Sequence, residues 1–124
     1  KNRELLVSRY KRLRNSGIRA SGHKCQVDPS HKTFIAEKNH LQYVEGHHLI
    51  PLCYQREFEF SLDNFANIVA LCPNCHRLLH HAELRRREYV FDQLFEMRQE
   101  RLIKIGIDAS ALELRKLIFG RSSV

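Results

Sequence analysis

A mixed α+β fold, with strand, loop, strand and helix in that order at its centre, is what this sequence predicts, and three stretches predict it. Residues 41–52 read LQYVEGHHLIPL, in which Tyr43 and Val44 lead through a histidine pair to an apolar close. Residues 66–71 (ANIVAL) are a short apolar run rich in β-branched side chains, the pattern of a buried strand. From residue 73 onward, Leu78, Leu79, Leu84, Val90, Phe91, Leu94, Phe95 and Leu102 recur at helical spacing. A long helical region therefore follows the second strand directly.

The flanking elements read as follows. Residues 2–14 place Leu5, Leu6, Arg9, Tyr10 and Leu13 at helical spacing, which predicts an amphipathic helix with a basic outer face, stopped by Asn15-Ser16-Gly17. Residues 22–39 are polar and turn-rich, an irregular loop whose order has to come from a bound metal. Between Cys53 and Asn64, Phe58, Phe60 and Leu62 alternate with acids, so part of this connection reads as extended. The region after residue 73 is long for one helix and a break falls near His81–Ala82. Gly106 ends it, Asp108 or Ser110 caps the next, and ALELRKLIF closes the chain as a short helix. This divides one compact domain into a basic helical arm (1–24), a central core (25–81) and a C-terminal helical extension (82–124).

Charge and cysteine usage narrow the class. The net charge is +7, yet residues 1–24 hold eight lysines and arginines against Glu4 alone, and the rest of the chain balances at 13 of each sign. The whole excess sits in the arm, which argues for a polyanionic partner there. No apolar run approaches the ~18 residues a membrane span requires, and no signal-peptide core is present. A soluble, cytoplasmic protein with no membrane partner is expected, and the start at Lys1 suggests a piece of a longer protein. Four cysteines and eight histidines without a secretory signal point to metal rather than disulfides. Cys72-Pro73-Asn74-Cys75 is a knuckle of the zinc type; the βαβ context of a redox motif is missing.

His76 and His80 lie four apart on the expected helix, so both imidazoles project from one face and can share an ion. His47 and His48 are neighbours on the expected strand and point to opposite faces. Phosphodiester hydrolysis needs two such separated functions: a divalent ion at the scissile phosphate and a neutral imidazole that deprotonates water. One histidine of the pair serves the ion and the other serves the water.

The stretches EGHHLIPL and ANIVALCPNCHRLLH resemble the HNH, or ββα-metal, endonucleases. More narrowly, YVEGHHLIPL with SLDNFANIVALCPNCHRLLH looks like the HNH modules of bacterial restriction enzymes, including modification-dependent ones. The resemblance implies a ββα-metal core in which His47 is a metal ligand and His48 the general base. It makes Asn67 the middle asparagine that fixes the loop and orients the base, with Asn64 the competing position. His76 becomes the final motif ligand and His80 the additional ligand of three-histidine members. Glu45 is placed to hold an imidazole or a basic side chain from behind, and His81 is an exposed neighbour or a phosphate contact. An all-histidine set suits Zn²⁺, Ni²⁺ or Co²⁺ better than Mg²⁺, with Mn²⁺ also to be considered.

Many HNH modules close a structural zinc site with two Cys-x-x-Cys knuckles, whereas here the first reads Cys25-Gln26-Val27-Asp28. Zinc prefers nitrogen or sulfur in closed sites, which favours Cys25, His31, Cys72 and Cys75, with Asp28 as the alternative to His31. Cys53 is expected to be a small buried residue. The implied activity is hydrolysis of double-stranded DNA to 5′-phosphate and 3′-hydroxyl ends. Arg9, Lys11, Arg12, Arg14, Arg77 and Arg85, with the run to Arg87, would hold the backbone, sequence specificity would lie in a domain outside this chain, and two copies would pair for a double-strand cut. The competing class is a zinc-stabilised nucleic-acid-binding module without chemistry, which leaves the five residues 47, 48, 67, 76 and 80 unexplained.

Overall fold

The computed structural model describes residues 2–120, with side chains from residue 3; Lys1 of the basic arm and residues 121–124 of the C-terminal extension lie outside that range. The described chain is a mixed helical fold around one two-stranded antiparallel sheet. In order come α1 (Asn2–Ala20), β1 (Glu45–His48), a 3-10 helix at Leu52–Glu57, another at Phe65–Asn67, β2 (Ile68–Leu71), α2 (Pro73–His81), α3 (Leu84–Lys104) and α4 (Ala111–Phe119).

The first helix runs six residues past the stop that the sequence suggested. Asn15-Ser16-Gly17 lie inside it, and the end comes at Gly22 in the left-handed region (φ 68°). There the amides of Gly22 and His23 donate to the carbonyls of Arg19 and Ile18, the bond pair of a Schellman motif. Gly17 serves close packing instead: a Cβ built on it would lie 2.5 Å from Cγ2 of Ile68. Gly46 does the same lower down, where a Cβ would meet Cβ of Arg14 at 2.9 Å. The two missing methyl groups let α1 lie directly on the hairpin.

Register follows from the hairpin pairing: Glu45 opposes Leu71, Gly46 opposes Ala70, His47 opposes Val69 and His48 opposes Ile68. All four β2 side chains are buried, since α1 covers one face and the helical core the other. Val69 and Leu71 join Leu79, Val90, Phe91, Leu94, Phe95, Leu102, Ile107 and Leu114 in that core. Directly opposed residues share a face, so His47 stands with Val69 on the core-helix side and His48 with Ile68 on the α1 side.

Three expectations for this region are corrected. The first strand covers 45–48 rather than 41–52, because Asn67 captures both backbone groups of Ile50 and turns the chain away. The connection after it begins as a 3-10 helix and becomes extended at Phe58 (φ −130°, ψ 140°), in keeping with a partly extended link, but Cys53 on that helix is exposed rather than buried. The second strand starts at Ile68, since Asn64 caps a 3-10 turn through Ala66 N–H. The helical break falls at 82–83 as expected, and Ser110 and Glu113 form a capping box at the start of α4.

Replacing Gly17 by alanine should destabilise the protein by about 1–3 kcal/mol, through forced repacking against Ile68, although alanine favours a helix by roughly 1 kcal/mol. Urea unfolding followed by circular dichroism reads the sign; a stabilised variant would contradict the close approach.

Candidate metal centres and the histidine pair

Two clusters of metal-ligating side chains are present among the described residues, and β1 and α2 carry residues of both or lie beside them. In the first, His47, His76 and His80 each offer one ring nitrogen, and these lie within 4.8 Å of one another. The ring centroids are 4.9 Å apart for His47 and His76, 5.2 Å for His76 and His80, and 5.7 Å for His47 and His80. The helical i, i+4 spacing aligns the α2 pair, and the strand alternation turns His47 towards them.

The electrostatics favour the uncharged ring at His47 and at His80. Burial foremost, then repulsion from His76, His80 and His48, lowers the pKa of His47 to about 3. Burial and the neighbouring His76, His81, Arg77 and Arg87 also lower that of His80. Nδ1 of His76 is 2.8 Å from Oε1 of Glu45, so its Nε2 is the free nitrogen. Burial works to raise the pKa of Glu45, but hydrogen bonds from His76 and Tyr43 prevail and lower it. Three imidazoles around one centre are a donor set suited to a divalent transition ion.

The second cluster joins Cys25, His31, Cys72 and Cys75, whose ligand atoms also lie within 4.8 Å of one another. Nδ1 of His31 is 3.7 Å from the sulfur of Cys72 and 3.5 Å from that of Cys75. Asp28 is not in the cluster; its Oδ1 accepts from the amide and hydroxyl of Ser30, and its Oδ2 stands 3.7 Å from Nε2 of His31. Burial would raise the pKa of Cys25, but backbone amides of Cys72, Asp28 and Val27 and the ring of His31 bring it down to about 7. Burial and the adjacent sulfurs raise that of Cys75. Three sulfurs and one imidazole around one centre fit a closed zinc site, which would hold the 22–39 loop against the start of α2. Gln26 adds a second tie, pairing both its backbone amide and its side-chain oxygen with Ala70.

His48 stands apart from the three-histidine cluster. Its ring lies on the α1 side of β1, edge-on to Tyr10 at 6.3 Å, with Nε2 3.0 Å from Oδ1 of Asp63. Asp63 is buried and also receives Nε of Arg9 at 3.1 Å, while its carbonyl takes Nη2 of Arg9 at 3.2 Å. The other ring nitrogen of His48 makes no hydrogen bond among the described residues. Asn67 is fully buried: its amide donates to the carbonyls of Ile50 and Leu62 and accepts from Ile50 N–H, while its own carbonyl takes Leu49 N–H.

Sequence reasoning missed Asp63. It lies 15 residues from His48 in a polar loop with no motif spacing, and only the Asp63-Asn64 pair ahead of the 3-10 turn hinted at order. Of the basic residues expected on DNA, Arg9 is committed to Asp63, and Arg87 donates to the carbonyl of Ala82 at 2.7 Å. Arg12 bonds Ser8 on its own helix, leaving its outer face exposed. Lys11, Arg77, Arg85 and His81 are exposed.

Comparison with known proteins agrees with this geometry. The HNH endonuclease family model matches residues 31–82. The type IV methyl-directed restriction enzyme EcoKMcrA of Escherichia coli (strain K12) is 49% identical over 41 residues, which is 33% of this chain and 13% of that enzyme. No solved structure matches the chain. Residues 31–82, which contain both strands, α2 and every member of the histidine cluster, are the part of the chain that matches the HNH endonuclease model, and the two matches together support a restriction-type HNH module there.

Proposed function

We propose that this chain is a metal-dependent endonuclease domain of the ββα-metal type that hydrolyses phosphodiester bonds of double-stranded DNA, as the catalytic part of a restriction enzyme. The observation that carries the reading is the meeting of His47, His76 and His80 one peptide away from a second histidine held by a buried carboxylate. A divalent ion held by those three imidazoles would supply charge neutralisation at the scissile phosphate and the departing 3′ oxygen.

The remaining steps belong to the chain. Glu45 holds the Nδ1 proton of His76 and leaves Nε2 as a donor of electron density. With its Nε2–H given to Asp63, His48 carries its lone pair on Nδ1, and that atom accepts the proton of the attacking water. Asp63 fixes the tautomer and stabilises the imidazolium that forms, as a carboxylate does behind a catalytic histidine. Asn67 stops the peptide after the histidine pair from rotating. The Cys25, His31, Cys72 and Cys75 group would hold Zn²⁺, which would set the direction in which α2 projects its histidines. Exposed Lys11, Arg12, Arg77 and Arg85 contact phosphates, which gives affinity without reading sequence. Specificity then comes from a domain outside this chain, and two copies act together for a double-strand cut.

Nicking of supercoiled plasmid with Mn²⁺, Ni²⁺, Co²⁺ or Mg²⁺ tests the proposal directly. His48→Ala should lower the cleavage rate by roughly 10²–10⁴-fold while metal content and DNA affinity stay within about twofold of wild type. Asp63→Asn should lower kcat at least about tenfold, with KM little changed, because the amide no longer fixes the same tautomer. A wild-type protein that never nicks, or a fully active His48→Ala, would leave a zinc-stabilised binding module.

Chelation should act in two stages. A mild chelator removes the ion of the histidine cluster and stops cleavage with the circular dichroism unchanged; extraction of the cysteine-held ion, or Cys75→Ser, unfolds the domain. A single transition for both signals would contradict two separate centres.

A further inference from the structure

A cleft of about 650 Å³ opens between α1 and the segment at 36–46. It takes no part in either metal cluster, yet it borders one of them through Glu45, whose carboxylate holds His76. We infer that this cleft seats the sugar–phosphate backbone of one DNA strand next to the scissile position, an inference that rests on reading duplex DNA as the substrate.

Charge is the first argument. Arg14, Arg19 and Lys38 line the cleft, and Glu45 is the one carboxylate among the lining residues. That carboxylate is already occupied by His76 at 2.8 Å and by the Tyr43 hydroxyl at 2.9 Å. Arg19 bonds only Ser16 of its own helix at 3.3 Å, and Arg14 and Lys38 form no ion pair among the described residues. Cations left without partners in a concave wall are the requirement for binding a polyanion.

Rigidity is the second. Gly46 lets Arg14 lie directly on the strand, so the stem of this side chain is fixed where the cleft begins. The opposite wall is a small finger held by the Ile35–Gln42 bridge, by Ala36 N–H on the carbonyl of Leu41, and by the Gln42 amide on the carbonyl of His23. Apolar surface is the third. Between the cations, Ile18, Ala36 and Leu41 supply apolar wall against which deoxyribose can lie.

The test is binding alone, read as the anisotropy of a fluorescein-labelled DNA duplex over a salt series without added divalent ion or chelator. Arg14→Gln with Lys38→Gln removes two phosphate contacts. The slope of log affinity against log salt should fall by about 1.8, with affinity at the lowest salt reduced at least about fivefold. Lys104→Gln with Lys116→Gln, on α3 and α4, changes the net charge equally and should leave the slope unchanged. Equal slopes for the two double variants, or wild-type protein that does not bind duplex, overturn the inference. Because no cleavage is read, wild-type protein that binds through the cleft but nicks no plasmid defeats the nuclease reading and leaves the cleft standing.

Discussion

The pairing of β1 with β2 is the constraint on which the rest depends. A strand presents neighbouring side chains to opposite faces, and the register that sets His47 against Val69 and His48 against Ile68 decides which face each histidine receives. A slip of one residue would exchange them, sending His48 to the α2 histidines and His47 to Asp63. Several contacts oppose such a slip. Asn67 locks the backbone on either side of the turn, Gln26 continues the sheet beside Ala70, and Arg98 reaches from α3 to the carbonyl of Ile68. The register is therefore held from three directions at a hairpin with only four residues per strand.

A short sheet with both faces covered has little core of its own. Stability comes from the helical layer around Phe91, Leu94 and Leu102 on one side and from α1, admitted by Gly17 and Gly46, on the other. With an ion bound, the Cys/His group would add a third attachment, on a loop that lacks regular structure from residue 23 to the isolated bridge at Ile35. In this arrangement α1 does more than carry charge. Arg9 meets the carboxylate that holds His48, and Arg14 packs against Gly46 of β1, so the basic arm is built into the site that it borders.

Much of this was legible in sequence because it rested on periodicity. The histidines at 76 and 80 had to share a helix face, those at 47 and 48 had to separate, and the cysteine knuckle had to open α2. What escaped were features set by contact between distant segments. Gly17 looked like a helix stop because glycine is a poor helix former, but its role depends on Ile68, which lies 51 positions away. The first strand looked three times longer because nothing local reveals that Asn67 will take the peptide of Ile50. Asp63 carried no spacing signal, and Arg9 read as a free cation until the fold set one against the other. Cys53 was judged by residue type, whereas its exposure follows from a 3-10 turn.

The account stands or falls on two chemically distinct ions in one small module. X-ray absorption of zinc-loaded protein given one further equivalent of Ni²⁺ addresses it most directly. The nickel edge should show a shell of nitrogen and oxygen only, with the multiple scattering of about three imidazoles, while the zinc edge is dominated by sulfur at ~2.3 Å. Sulfur around nickel, or no nickel retained after desalting, would contradict it.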